Sequence, residues 1–241
     1  MPHPVNLTPA PPVDEGWRRG LRRLFANRCL VCRERADGDQ DLCAACLAAL
    51  PWSGPACACC AIPLPHAAPR CGACLRRAPP LTAAHAAFVY GFPLDRLLPR
   101  FKFHHDLAAG ALLARCMAAA FGTLPRPDAI VPVPLHTARL RQRGYDQALE
   151  LARPLARRLE LPLYDGLLRR IRSTAPQSRL DATARRRNLR HAFETTPQPV
   201  PDHVALIDDV MTTGATLHAA AVALRRAGVR RVDAWVCARV G

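Results

Sequence analysis

The sequence predicts an α/β protein: a parallel sheet flanked by helices, preceded by a small metal-held module. Three observations carry this expectation. Short apolar runs that read as strands buried on both faces, residues 204–207 foremost, alternate with Ala- and Leu-rich helical stretches. The resulting order of strand, helix, strand, helix, loop, strand, helix, strand describes a parallel sheet with crossover helices. Ahead of it stand four C-x-x-C pairs at a constant period of 14 residues.

Residues 1–26 are expected to form a flexible segment with a short basic helix. Residues 1–13 are Pro-rich and lack an apolar h-region, so they do not read as a signal peptide. Over 14–25, Trp17, Leu21, Leu24 and Phe25 fall on one helical stripe with Arg18, Arg19, Arg22 and Arg23 around it. That stripe suits packing on the next module better than lying on a membrane surface. No apolar run approaches the ~20 residues that span a bilayer, so no membrane insertion is expected and the location reads as cytoplasmic. In a cytoplasmic chain, eleven cysteines argue for metal rather than disulfides.

Residues 27–80 read as a double zinc ribbon. The pairs are Cys29/Cys32, Cys43/Cys46, Cys57/Cys60 and Cys71/Cys74. Each can form a thiolate knuckle, and two knuckles make a tetrahedral site, so eight cysteines hold two structural zinc ions. Uniform spacing leaves open whether neighbouring pairs join or the pairing is crossed. Cys59 reads as a bystander. A redox reading would need one C-x-x-C beside a βαβ pattern, and four evenly repeated pairs in loop-rich sequence argue against it.

Residues 81–241 read as the sheet domain. A strand is expected over 87–92, an amphipathic helix over 94–103 and an Ala-rich helix over 107–121. Residues 128–135 read as a strand running into a Pro-fixed turn. A helix follows to about Leu159, with a kink or break at Pro154. Residues 165–191, poor in apolar anchors and rich in arginine, read as one long functional loop. Residues 231–239 close the chain as a strand.

The charge is +15, from 33 arginines and a single lysine, Lys102. It favours acidic ligands or nucleic acid. The one retained lysine marks a position that wants a compact ammonium rather than a planar fork. Residues 139–190 alone hold fourteen arginines against five acids.

The most specific chemistry lies in residues 204–220. A strand ends in Asp208 and Asp209, and Thr212, Thr213, Gly214, Ala215 and Thr216 then open a helix. A loop of that kind presents backbone N–H groups and a positive helix end to a phosphate. Two acids beside a bare phosphate repel it. A sugar phosphate resolves the conflict: the carboxylates accept the ribose hydroxyls while the Thr/Gly loop cradles the 5′-phosphate. Use of both acids predicts that the strand has ended by Asp208, since neighbouring strand residues face opposite ways. No P-loop motif occurs in the chain.

The run Leu-Ile-Asp-Asp-Val-Met-Thr-Thr-Gly-Ala-Thr (206–216) resembles the phosphoribosyl-pyrophosphate (PRPP) signature of the type I phosphoribosyltransferases. With it occur the four knuckles, Phe-Lys-Phe at 101–103, Ile-Val-Pro-Val-Pro-Leu at 130–135 and Arg-Leu-Arg-Gln-Arg-Gly-Tyr-Asp-Gln at 139–147. Thr-Ala-Pro-Gln at 174–177 and Arg-Arg-Arg-Asn-Leu-Arg-His-Ala-Phe at 185–193 complete the order seen in the ComF family. Two positions depart from it: Asp146 stands where the family usually has an amide, and Ala61 where a glycine usually follows the third knuckle.

The resemblance implies a type I phosphoribosyltransferase-like domain. Asp208, Asp209, Val210, Met211, Thr212, Thr213, Gly214, Ala215 and Thr216 would bind PRPP. Asp208, Asp209, Lys102 and Arg143 are the catalytic candidates. Arg139, Arg141 and Arg143 would stabilise pyrophosphate under a lid holding Thr174, Gln177, Arg185 and Arg187. Magnesium would arrive with PRPP and keep most of its waters. The resemblance also implies DNA uptake, and with it single-stranded DNA and a protein of the competence machinery as partners. The acceptor of any transferred phosphoribosyl group is left open.

Overall fold

A computed structural model describes residues 28–36, 41–172 and 191–241 of the chain. The N-terminal segment and basic helix expected over 1–26 lie outside the described residues, as does most of the expected lid. The described residues fall into two compact units, one ending at Leu47 and one running from Ala48 to Gly241.

The first unit holds the knuckles of Cys29/Cys32 and Cys43/Cys46, with Cys46 inside a one-turn helix, α1 (Ala44–Ala48). The second unit begins with the other two knuckles, the last of them on α2 (Gly72–Arg76). Its body is a four-stranded sheet in the order β1-β6-β5-β2. These strands are β1 (Ala83–Val89), β2 (Ala129–Pro132), β5 (His203–Met211) and β6 (Arg231–Arg239), and every pairing is parallel. The expected α/β architecture is therefore present.

Helices α3 (Leu94–Phe103) and α4 (Leu107–Phe121) cross from β1 towards β2. After β2 come α5 (Thr137–Arg143) and α6 (Gln147–Leu159), and α7 (Ala215–Arg226) joins β5 to β6. Alternation along the strands divides the core. Val204 and Leu206 of β5 join Leu217, Ala220, Ala221 and Leu224 of α7 in one buried cluster. Ala205 and Ile207 face the other way and are equally buried, on the side where α4 and α6 pack together.

Three expectations need correction. The first strand lies over Ala83–Val89 and not 87–92, because residues 83–89 are the ones that register against β6. Helix α6 runs unbroken through Pro154. A proline inside a helix costs about 3 kcal/mol, and burial of Leu151, Ala152, Leu155 and Ala156 around it offsets that. Residues 165–191 are also not one structureless loop. β3 (Leu168–Arg170) pairs antiparallel with β4 (Phe193–Thr195), and Leu167, Leu168, Ala192 and Phe193 join the α7-side core.

Candidate functional site and metal centres

Strand β5 is longer than its apolar run. It continues through Asp208 and Asp209 to Met211, still in register with β6. On its other side the pairing stops early: the last β2 pair is Pro132 with Ile207, followed by one bond from Val133 N–H to the Ile207 carbonyl at 2.9 Å. The strand has thus not ended at Asp208, as the sequence suggested. It overhangs β2, and the overhang carries the two acids at the carboxyl end of the sheet, where parallel α/β folds bind ligands.

Alternation puts Asp208 on the Leu206 side and Asp209 on the Ile207 side. Each carboxylate accepts the next backbone N–H: Asp209 N–H donates to Asp208 at 2.9 Å, and Val210 N–H to Asp209 at 2.6 Å. Lys102, near the end of α3, meets Asp209 at 2.9 Å. Burial alone would lower the Lys102 pKa, but the Asp209 charge outweighs it and the net shift is upward. Burial and the Asp209 charge together push Asp208 up to about 8, against the opposing pull of the Asp209 N–H and Lys102. Burial and the neighbouring charge thus favour the protonated form of Asp208 in the free protein.

Helix α5 supplies more positive charge. Arg139 and Arg143 stand four residues apart on one face, and Arg141 falls on the opposite, exposed face. Arg143 donates to the Gln147 side-chain oxygen at 2.8 Å and lies 5.1 Å above the ring of Phe103. Arg139 feels the repulsion of Arg143. The structure thus sets Lys102 directly on Asp209, with Arg143 in electrostatic reach of Lys102 and Arg139 in reach of Arg143, and leaves Arg141 aside. Arg170 of β3 is a further cation that sequence reading missed. It is 9% exposed, lies 5.5 Å above the Phe193 ring, and interacts through space with Arg139, Asp208 and Asp146.

Asp146 acquires a defined task. It caps α6 by accepting from Leu149 N–H at 3.2 Å, and it accepts from Leu135 N–H at 2.7 Å. A carboxylate here ties the turn after β2 to the helix start. An aspartate immediately before a helical run is itself an N-cap signal, so this role was readable from sequence.

In the loop, Thr212 and Thr213 are exposed, Val210 and Thr216 are half-buried, and Met211 and Ala215 are buried. Gly214 caps α7 in the left-handed region at φ 74°. A Cβ there would lie 2.6 Å from Met211 Cε and 2.9 Å from His218 Nε2. The glycine is required by its own neighbours as well as by any ligand. Thr174, Gln177, Arg185 and Arg187 lie outside the described residues.

The cysteines sort sequentially. Cys29, Cys32, Cys43 and Cys46 form one cluster and Cys57, Cys60, Cys71 and Cys74 the other, with the sulfurs of each within 4.8 Å of one another. A tetrahedral zinc with Zn–S near 2.3 Å sets sulfurs about 3.8 Å apart. The Cys32–Cys43 and Cys60–Cys71 separations are 3.6 and 3.8 Å. Backbone N–H groups also point at sulfur, Cys46 to Cys43 at 3.5 Å and Cys71 to Cys57 at 3.1 Å, as suits thiolate ligands. Both clusters fit zinc, and neither is crossed. Cys59 belongs to neither and donates to the Pro69 carbonyl at 3.4 Å.

Comparison with known proteins agrees with both halves of this description. The double zinc ribbon domain model matches residues 20–75 and the phosphoribosyl transferase domain model residues 146–241. Competence protein F of Haemophilus influenzae is 35% identical over 229 residues, covering 91% of this chain and all of that protein. The chain belongs to the ComF family. Within this family, the DNA utilization protein YhgH of Salmonella typhi is 34% identical, covering 88% of this chain and 89% of that one. Competence protein ComFC of Bacillus subtilis is 32% identical over 147 residues, 59% of this chain and 58% of its own. Among solved structures, orotate phosphoribosyltransferase from Aeropyrum pernix is similar at 23% identity and a TM-score of 0.35, over 59% of this chain and 63% of that one. The ComF-family chain thus joins a zinc-ribbon region to a phosphoribosyltransferase-like α/β domain. Among the described residues no helix is long and apolar enough to cross a membrane.

Proposed function

We propose that the overhang of β5 and the loop after it bind PRPP with its magnesium, and that this ComF-family protein transfers the phosphoribosyl group or responds to PRPP. The observation that carries the reading is the pair Asp208 and Asp209 at the end of a parallel strand, directly before Thr212, Thr213, Gly214 and the start of a twelve-residue helix. The Thr hydroxyls and first-turn N–H groups would hold the 5′-phosphate. Asp208, with its raised pKa, would accept ribose hydroxyls once the ligand's cation draws off its proton. Lys102, held by Asp209 in the free protein, would turn to the incoming phosphates. Arg139, Arg143 and Arg170 would stabilise charge that develops on departing pyrophosphate.

Magnesium enters as part of the ligand and needs no site of protein atoms alone. Titration calorimetry with magnesium–PRPP, against AMP as a 5′-phosphate control, tests the binding. Pyrophosphate release with a panel of nucleophiles separates transfer from binding. Heat with PRPP that matches the AMP control would overturn the reading.

A second activity has its own support. A net charge of +15 suits a polyanion, and relatives bear the names competence protein and DNA utilization protein. On this reading the protein binds single-stranded DNA through its arginines, and a partner from the uptake machinery brings the strand. Affinity should then fall steeply with salt, as counterion release requires. Binding that is flat in salt would remove the electrostatic basis for it.

A further inference from the structure

Arg239 closes β6 and is 7% exposed. Its Nε donates to the Cys60 carbonyl at 2.9 Å. Its Nη1 donates to the Met211 carbonyl at 3.2 Å and also to the Val240 carbonyl. Cys60 completes the Cys57/Cys60 knuckle of the second cluster, and Met211 immediately precedes the Thr212–Thr216 loop. One buried guanidinium therefore spans a metal knuckle and the candidate phosphate loop.

The knuckle is anchored to the sheet in two further ways. Ala84 N–H of β1 donates to the Ala58 carbonyl at 2.9 Å. Ala61, directly after the knuckle, is 2% exposed and lies in the same apolar cluster as Met211, Ala215 and Leu217. It adopts φ 54°, in the left-handed region, which costs a residue with a Cβ about 1–2 kcal/mol. The burial of its methyl group is what the departure from glycine gains. The loop is equally tight on its side, where Gly214 leaves no room beside Met211.

We infer that Arg239 makes metal occupancy of the Cys57/Cys60/Cys71/Cys74 cluster and the geometry of residues 211–216 two ends of one equilibrium. Bound metal fixes the knuckle and hence the direction of the Cys60 carbonyl. That carbonyl orients the guanidinium, and the guanidinium holds the Met211 carbonyl from behind the loop. Losing the metal frees the knuckle, and a buried charge deprived of one acceptor must rearrange. Linkage is reciprocal, so a ligand that orders the loop retains the metal by the same factor. The ligand half of this rests on the PRPP reading; the link between knuckle and loop does not.

Two measurements on the full chain test it. In the first, zinc is stripped from the wild type and from a Cys29→Ser/Cys43→Ser variant, which keeps only the second site, and hydrogen exchange is followed over 211–218. Exchange should rise when the second cluster is emptied, and Arg239→Lys should raise it with both zinc ions bound. A lysine ammonium is a single point donor and cannot span the two carbonyls. Unchanged exchange on stripping overturns the inference.

In the second, zinc release to a chromophoric chelator is titrated to equilibrium with and without magnesium–PRPP. The second zinc should be held about fivefold more tightly or better with PRPP, and this effect should vanish in Arg239→Lys. If calorimetry shows PRPP bound but release unchanged, the coupling is wrong. An effect that survives in Arg239→Lys, while that variant melts lower, would make Arg239 merely structural and end the proposal. If PRPP fails to bind, the site reading fails instead, and the exchange measurement alone decides the coupling.

Discussion

The two ends of the central sheet carry acids of the same kind in opposite states. At the amino end, Asp233 is 1% exposed and richly partnered. Arg231 donates to it through Nε at 3.2 Å and Nη2 at 2.9 Å, and His203 Nε2 lies 2.9 Å from it. Asp128 takes the His203 backbone N–H at 2.8 Å. At the carboxyl end, Asp208 and Asp209 share Lys102, which contacts only the second of them directly. A buried carboxylate with its counter-charges in place holds a fold together. A pair with too few is a candidate site, where on the proposed reading the ligand brings the missing cation and hydroxyls.

The largest effect expected from breaking this contrast is on stability. Asp233→Ala removes the acceptor of three charged or polar donors and should cost about 2–4 kcal/mol, measured by urea denaturation. PRPP affinity of the folded fraction should hold, since the change lies at the far end of the sheet.

Asp208→Asn and Asp209→Asn should act chiefly on the ligand. Each should weaken PRPP roughly tenfold or more, about 1.4 kcal/mol. Near neutral pH Asp208→Asn should leave stability level, since it mimics the protonated acid, whereas Asp209→Asn deprives Lys102 of its partner and should lower stability by about 1 kcal/mol. Calorimetry and denaturation on the same samples check both halves. Asp233→Ala losing ligand while the two Asn variants keep it would reverse the roles assigned to the two ends.

The contrast should also appear with pH. A carboxyl raised to about 8 in the fold holds a proton that the unfolded chain has already released above about pH 4. Stability should therefore decline as pH rises through that window and level off above 8, and the decline should be missing in Asp208→Asn. A ligand that needs Asp208 ionised should bind about tenfold more tightly at pH 9 than at pH 7.

The smallest effect is expected of Lys102→Arg. It keeps the charge but replaces a compact ammonium with a fork. Stability should shift by about 1 kcal/mol, with PRPP affinity down a few-fold.

How much of this was legible in the sequence depended on the range of the signal. The β5 run, the Thr/Gly loop and α7 are contiguous, and their chemistry reads directly. The knuckles do as well, although equal spacing hid their pairing until the fold chose it. The end of β5 was misread because Asp208 and Asp209 look like loop residues, while β6 keeps pairing with them regardless. Arg170 was invisible for a different reason. Three-residue strands carry no periodicity, and β3 meets β4 across more than twenty residues. Arg239 gave no signal because it is one arginine among 33, and its role exists only where a knuckle far back in the chain comes alongside. The DNA and partner expectations rest on charge and resemblance, which folding does not localise.

The early end of the β2–β5 ladder has a wider consequence. Parallel strands close like a zip, and carrying the ladder two residues past Val133 would aim the Leu135 N–H at the overhang of β5. Asp146 takes that N–H instead, and Pro132 and Pro134 on either side have none to give. The opening between the strands is thus set by which donors exist and where they are diverted. Residues around it other than Asp146 can change without restoring the missing ladder bonds.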